Sequence, residues 1–190
     1  NKKLSDLIME LSKIKNLKRI RYTTSHPRDF TEDLINAHKD CKKLMPSVHL
    51  PVQSGSNKIL ESMNRRHSIE EYLEVIKKLK HANPEIKFSS DFIIGYPGET
   101  EEDFQMTLAL MKEVQFINSY SYLYSARPGT PAFNLTLVNQ KIAKERLYNF
   151  QNTAGKIKSE YRQKLVNKKA VVLFENKIKN ENKYFGRDEF

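Results

Sequence analysis

The stretch SSDFIIGYPGET, positions 89–100, places a carboxylate inside an apolar run and two glycines at its end. A buried carboxylate is expensive unless it is paired. Asp91 therefore asks for a partner. Gly95-x-x-Gly98-Glu99 lacks the lysine of a phosphate loop and the first glycine of a dinucleotide fingerprint. It reads either as a strand-to-helix turn or as bare backbone against which a ligand can lie. Gln53-Ser54-Gly55-Ser56 is a second polar cluster. It could hold a ribose or carboxylate through side chains and helix amides, or Ser56 could simply cap a helix. Arg127, beside Pro128-Gly129, suits a phosphate or carboxylate. His26 and His49 stand alone without metal-ligand spacing. His49 reads as a packed, hydrogen-bonded core residue of a short strand. Arg65-Arg66-His67, taken by itself, is a charge run at a helix junction.

These residues need elements to hold them. Leu4, Leu7, Ile8, Leu11 and Ile14 share one helical face. KRIRYTTSHP reads as a strand running into a loop stopped by Pro27. Thr31 is placed to cap a helix that reaches Cys41. SVHLPVQSGS is a second strand, followed by a short helix to Met63. Ser68 and Glu71 form a capping box before a helix broken at Asn83-Pro84. IKFSSDFIIG is a third strand, and Thr100 caps the helix after it. SYSYLYSARPGT is a fourth strand ending in a loop. A long basic helix spans 141–165, with Ala143, Leu147, Phe150, Ala154, Ile157 and Tyr161 at helical spacing. Two β segments follow, KAVVLFENK and NKYFGRDEF.

Alternating strands and helices at this spacing predict βα units around a parallel sheet, open or closed into a partial barrel. Ligands of such sheets sit at the carboxyl ends of the strands. Here those ends are TTSHP, PVQSGS, GYPGET and SARPGT, all polar or turn-forming, and together they would build one pocket. The switch to β–β predicts a domain boundary near residue 163.

Bulk composition narrows the partners. No apolar run approaches the ~20 residues that span a bilayer. The one cysteine, Cys41, excludes a disulfide framework and any thiolate-built metal or iron–sulfur site from this chain alone. It reads as a packed residue in a reducing compartment. The net charge is +10, and residues 141–190 carry 13 Lys/Arg against 6 Asp/Glu, a net of +7. Such an end suits a polyanion, nucleic acid first and anionic membrane second, or is a solvated lysine-rich face.

The ordered motifs RIRYTTSHP, HLPVQSGS, MNRRHS, SSDFIIGYPGETEEDF, YSYLYSARPGTPA and YFGRDEF closely resemble the radical S-adenosylmethionine methylthiotransferases, over essentially all 190 residues. TSHP and YSARPGT favour the tRNA-modifying branch. The resemblance implies the carboxyl-terminal portion of such an enzyme. Residues 1–162 would be part of a radical-SAM partial βα barrel, TIM-like in plan, and residues 163–190 the start of a small all-β TRAM RNA-binding domain. The activity implied is addition of a methylthio group to carbon 2 of an isopentenyl-adenosine next to the anticodon. Alternative acceptors are a threonylcarbamoyl-adenosine tRNA or a ribosomal protein, and a different alternative is an inactive RNA-binding remnant. The cofactors implied are S-adenosylmethionine and two 4Fe-4S clusters, whose ligand cysteines are not in this chain. The fragment alone would then be inactive, with no catalytic residue and no metal ligand of its own. The complete protein would be a cytoplasmic monomer acting on the tRNA anticodon stem-loop, with no membrane.

The same resemblance assigns positions. Gln53, Ser54 and Ser56 would contact the ribose or methionine moiety, and Arg65 the methionine carboxylate. Ser89 and Asp91 would point into the pocket, Asp91 accepting from a ribose hydroxyl or the ammonium. Ile94 and Gly95 would flank the adenine, and Tyr122 would line the last strand. Ser25, His26, Arg127 and Thr130 would face the target nucleotide. Arg187, with Tyr184 and Phe185, would belong to an RNA surface combining stacking and charge.

Overall fold

The computed structural model describes residues 2–23 and 26–190. Its centre is a three-stranded parallel sheet in the order β1 (Ser47–His49), β2 (Lys87–Ile94), β3 (Asn118–Leu123). The predicted first strand is reduced to one parallel bridge, Ile20 to Leu44, closed by Ile20 N–H to the Lys43 carbonyl and Met45 N–H to the Ile20 carbonyl. The side chains of its neighbours Arg19 and Arg21 turn to the chain's terminal segment.

Strand β2 shows why the sheet sits as it does. Phe88, Ser90, Phe92 and Ile94 are buried, while Lys87, Ser89, Asp91 and Ile93 are half-exposed on the other face. This two-residue alternation turns one face onto helices and leaves the other half-exposed. Phe92 packs on Phe116 and on Phe150 of the long helix, with ring centroids 5.6 and 4.8 Å apart. Burying a side chain of this size contributes about 1.5–3 kcal/mol. Ser90 is fully buried but satisfied: its hydroxyl donates to the Leu50 carbonyl at 2.8 Å and accepts from Val52 N–H at 3.0 Å.

Among the described residues there are six α-helices: α1 (Leu4–Ser12), α2 (Glu32–Asp40), α3 (Asn57–Ser62), α4 (Ile69–Ala82), α5 (Glu101–Val114) and α6 (Gln140–Gln163). The predicted caps of α3, α4 and α5 are present. Ser56 accepts from Ile59 N–H, Ser68 and Glu71 close a capping box, and Thr100 and Asp103 close another. Thr31 precedes α2 without a side-chain cap bond. Cys41 is buried in the core, as its place after a helical pattern predicts.

After α6 the chain forms an antiparallel hairpin, β4 (Leu173–Lys177) with β5 (Tyr184–Arg187). Arg19 holds it to the body. Its guanidinium donates to the carbonyls of Arg187, Asp188 and Val171 at 2.6, 2.9 and 2.7 Å. Among the described residues, no helix is long and apolar enough to cross a membrane.

Candidate cofactor and substrate cavity

A cavity of about 690 Å³ opens at the carboxyl ends of the strands. That volume suits a small-molecule ligand of cofactor size. Its walls come from every strand end of the sheet: Gln53 after β1, Asp91 and Ile93 on β2, and Tyr122 to Ser125 at the end of β3. The loop after α3 adds Arg65, and the loop after β3 adds Arg127 and Thr130. Six residues predicted from separate motifs therefore meet at one place: Gln53, Arg65, Asp91, Tyr122, Arg127 and Thr130.

Asp91 has its partner. Its Oδ2 lies 3.3 Å from Nε2 of His49, whose Nδ1 lies 2.9 Å from Ser89 Oγ. Parallel pairing explains the grouping, because residues in register on adjacent strands share a face. His49 is in register with Ser89, and Ile93 with Tyr122. Side chains of His49 and Asp91 keep 24% and 30% of their surface exposed, so the pair faces the open side of the sheet. His49 is thus hydrogen-bonded, as predicted, but on the ligand face rather than in the core.

Arg65 is held more rigidly than its neighbours in sequence suggest. One Nη donates to the Pro51 carbonyl at 2.9 Å, while the buried Nε has no partner among the described residues. A buried guanidinium N–H without an acceptor is unusual and asks for one from a ligand. Burial pushes its pKa down from the ordinary arginine value. Flanking residues Asn64 and Arg66, and Gln53 across the cavity, sit at φ 55°, 57° and 78°. Left-handed backbone at non-glycine residues is strained and clusters at ligand sites. The Arg65 carbonyl is gripped by two imidazoles, His26 Nε2 at 2.5 Å and His67 Nδ1 at 3.0 Å. His26 Nδ1 accepts from Arg28 N–H, so the proton sits on Nε2. Histidine 26 therefore stands behind Arg65 rather than in the cavity wall.

Other predicted positions lie elsewhere. Ser54 and Ser56 are buried, each 1% exposed, and turn toward α5. Ser56 donates to Asp103 at 2.7 Å, and Ser54 accepts from Ser56 N–H. Their hydroxyls are consumed by the turn. Ser89 reaches the site only through His49. Ile94 is fully buried on the helix face, and its neighbour Ile93 lines the cavity instead, a consequence of the two-residue period. Gly95, at φ 74°, offers no bare surface to a ligand: a Cβ there would come within 2.8 Å of Ala143 Cβ on α6. Arg187 sits on β5, paired to Glu175 at 3.5 Å, away from the cavity. Ser25 lies outside the described residues.

Several wall residues were not singled out from sequence. Tyr96 donates its hydroxyl to the Ser62 carbonyl at 2.9 Å and meets Tyr124 edge-on at 5.0 Å. Burial and the neighbouring Tyr124 raise the Tyr96 pKa. The Tyr-Pro of the glycine turn carried that signal, since an aromatic at a strand end must pack on something. The pair Glu99–Arg146 was also missed. Arg146 lies in the charged run Lys144-Glu145-Arg146, which reads as solvent-facing, yet only 8% of its side chain is exposed.

The fold at this point is that of a known class. Residues 1–111 match the radical SAM superfamily, and the chain belongs to it. Curated relatives narrow the likeness. The chain is 58% identical over 188 residues to the tRNA-2-methylthio-N(6)-dimethylallyladenosine synthase of Pelagibacter ubique (strain HTCC1062), covering 99% of this chain and 42% of that protein. It is 49% identical over 185 residues to the synthase of the same name from Zymomonas mobilis subsp. mobilis, covering 97% of this chain and 42% of that one. The chain thus spans about two-fifths of the length of these relatives. Among solved structures, coproporphyrinogen III oxidase (HemN) of Escherichia coli, a radical SAM enzyme, superposes with a TM-score of 0.63 at 17% identity, covering 80% of this chain and 37% of that one. Elp3 of Methanocaldococcus infernus gives 0.56 at 17%, covering 77% and 42%. These likenesses concern the fold.

The superfamily uses S-adenosylmethionine and 4Fe-4S clusters. The two groups fit this chain differently. Cys41 is buried, and among the described residues no three His, Cys, Asp or Glu side chains are grouped to hold a metal. These residues do not hold a cluster. A cavity with an unpaired guanidinium N–H and a carboxylate does suit a zwitterionic nucleoside.

Proposed function

We propose that this chain is the cofactor- and substrate-binding part of a tRNA methylthiotransferase, which adds a methylthio group to carbon 2 of N6-dimethylallyl (isopentenyl) adenosine beside the anticodon. One observation carries the assignment: 58% identity with the Pelagibacter synthase across 188 residues, on a chain in which four of the six motifs converge on one cavity.

The roles follow from the chemistry of the wall. Arg65 is the acceptor-seeking cation and suits the methionine carboxylate. Asp91 suits the ammonium or a ribose hydroxyl, held in place by His49. Gln53 and Tyr122 close the sides. Ile93 and Tyr96 supply the apolar surface for the adenine, taking the place predicted for Ile94 and Gly95. Bound beside a reduced cluster held by other parts of the protein, S-adenosylmethionine would supply the radical chemistry of the superfamily. Arg127 and Thr130 stand on the rim, where an adenosine splayed from a single-stranded loop would arrive.

We assign residues 1–162 to the radical SAM core and residues 163–190 to the start of a TRAM RNA-binding domain. Support for the latter is the exposed hairpin, which presents Tyr184, Phe185 and Arg187 beside a basic helix. Stacking rings beside cations suit single-stranded RNA and give salt-dependent affinity. The protein acts as a cytoplasmic monomer on the anticodon stem-loop. The relatives' shared name favours dimethylallyl-adenosine over a threonylcarbamoyl-adenosine or a ribosomal protein as acceptor.

The test is a reconstitution. The complete, cluster-loaded protein, given S-adenosylmethionine, a reductant and tRNA, converts dimethylallyl-adenosine to its 2-methylthio derivative, as read by nucleoside mass spectrometry. Methylthiolation of threonylcarbamoyl-adenosine alone overturns the acceptor, and none with any acceptor overturns the activity.

A further inference from the structure

Behind the cavity, two residues of helix α6 clasp the turn that shapes its wall. Arg146 Nη1 donates to Glu99 Oε1 at 2.9 Å and to the Glu99 carbonyl at 3.0 Å. Its Nε donates to Glu101 Oε2 at 3.1 Å, and its guanidinium lies over the Phe104 ring at 5.7 Å. Glu99 Oε1 in turn accepts from Gly95 N–H at 3.2 Å. Only 1% of the Glu99 side chain is exposed. One turn away on the same helix, Ala143 fills the space beside Gly95, where any side chain would collide with it.

A buried ion pair is weak support for stability by itself, since desolvation offsets much of the attraction. What this pair supplies is geometry. Nη1 fixes two acceptors of Glu99 while Nε reaches Glu101, and the Glu99 carboxylate fixes the amide four positions earlier. The clasp therefore brackets residues 95–99, and the cavity residue Tyr96 lies between its two ends, next to Ile93 on the strand. Arg146 itself lines no part of the cavity.

We propose that Arg146 is a positioning residue for the nucleoside part of the cofactor: from α6 it sets the turn that places Tyr96 and Ile93. This rests on the assignment of the cavity to S-adenosylmethionine. It also joins the helix that leads to the basic hairpin with the turn against which the cofactor lies.

The test uses the complete, cluster-loaded protein and calorimetric titration with S-adenosylmethionine. Glu99→Gln with Arg146→Met removes both charges together and leaves no uncompensated buried ion, while the Gln oxygen can still accept from Gly95. The double variant is expected to bind S-adenosylmethionine about tenfold or more weakly, since small misplacements at a site are costly. Its affinity for tRNA is expected to stay unchanged, and KM for S-adenosylmethionine to rise while KM for tRNA does not. Unchanged affinity for S-adenosylmethionine in a folded double variant overturns the inference. Should the double variant melt early, Arg146→Lys serves instead, because it keeps the charge but loses the second donor to Glu101 and the planar group over Phe104. The same weakening is expected of it, and unchanged binding again overturns the inference. No binding to the native protein overturns the cavity assignment, and the inference with it. Native binding that survives both substitutions overturns the inference alone.

Discussion

Asp91 Oδ2 and His49 Nε2 face each other across adjacent parallel strands at 3.3 Å, on the side of the sheet that opens into the cavity. A carboxylate inside an apolar run is thereby partnered without being neutralised into the core. It remains available to a cationic or hydroxyl group of a ligand.

Asp91→Ala is therefore expected to weaken binding of S-adenosylmethionine by the loss of one charge-assisted bond, about 1.5–3 kcal/mol. Titration calorimetry on the complete protein reads it. Because Asp91 is partly exposed, the melting temperature is expected to change little. A large fall in melting temperature with unchanged affinity would make Asp91 a structural residue.

Gly55 reports on the polar cluster that sequence alone left open. A Cβ at that position would lie 2.5 Å from Thr107 Cα and 2.6 Å from the Met106 carbonyl oxygen. Helix α5 crosses the turn at backbone contact. Gly55→Ala is expected to destabilise by about 1–3 kcal/mol or more through overpacking, as read by chemical denaturation. A neutral result would mean that the helix can shift away freely.

Asp103 supplies a dependence on pH. Burial works against its ionised form, but bonds from Lys58, Thr100 and Ser56 outweigh that and hold its pKa well below the ordinary value of 3.8. A carboxyl whose pKa is lowered by folding contributes stability above its unfolded value. That contribution is lost as pH falls below about 3.8 toward the folded value. Asp103→Asn is expected to lower stability near neutrality and to approach the native protein as pH drops. Equal stability at pH 7 contradicts this.

His38 adds to acid sensitivity at higher pH. Burial pushes its pKa down from 6.5 to about 4, while Nε2 shares a hydrogen bond with Tyr22 OH at 2.6 Å. The unfolded chain binds the proton first, so stability is present above 6.5 and falls between 6.5 and 4. At pH 5 the loss is about 2 kcal/mol. His38→Met is expected to flatten thermal melting across that window, and an unaltered pH profile would contradict the assignment.

Arg19 is expected to anchor the terminal hairpin through its three carbonyl contacts. Arg19→Ala should speed tryptic cleavage at Lys164, Lys168 and Lys169 and weaken tRNA binding, while the melting temperature of the body stays close to native. Unchanged cleavage would mean that the hairpin is held by other contacts.

How much of this was legible in sequence can be argued residue by residue. Strand β2, the caps at Ser56, Ser68 and Thr100, and helix α6 follow from local periodicity and turn chemistry, which act over a few residues. Convergence of Arg65, Asp91, Arg127 and Thr130 follows from a rule of parallel sheets. The side on which a residue points is harder. The motif points to Ile94, whereas Ile93, one pleat away, is the residue that lines the cavity. Ser54 and Ser56 carry the right groups for a ligand, but Asp103 and Thr107, fifty residues on, claim them. Arg146 sits in a charged run, and only tertiary packing against Glu99 makes it internal. The segment near Ile20 has the β-branched and aromatic content of a strand. Its ladder is nonetheless one bridge long among the described residues.

The central claim is that this cavity serves tRNA methylthiolation. The most direct measurement is nucleoside mass spectrometry of tRNA from a bacterial strain lacking its own synthase and supplied with the complete protein. The native protein is predicted to restore 2-methylthio-dimethylallyl-adenosine, while Arg65→Ala at equal abundance leaves dimethylallyl-adenosine unmodified. Failure of the native protein to restore it, or full restoration by Arg65→Ala, would contradict the account.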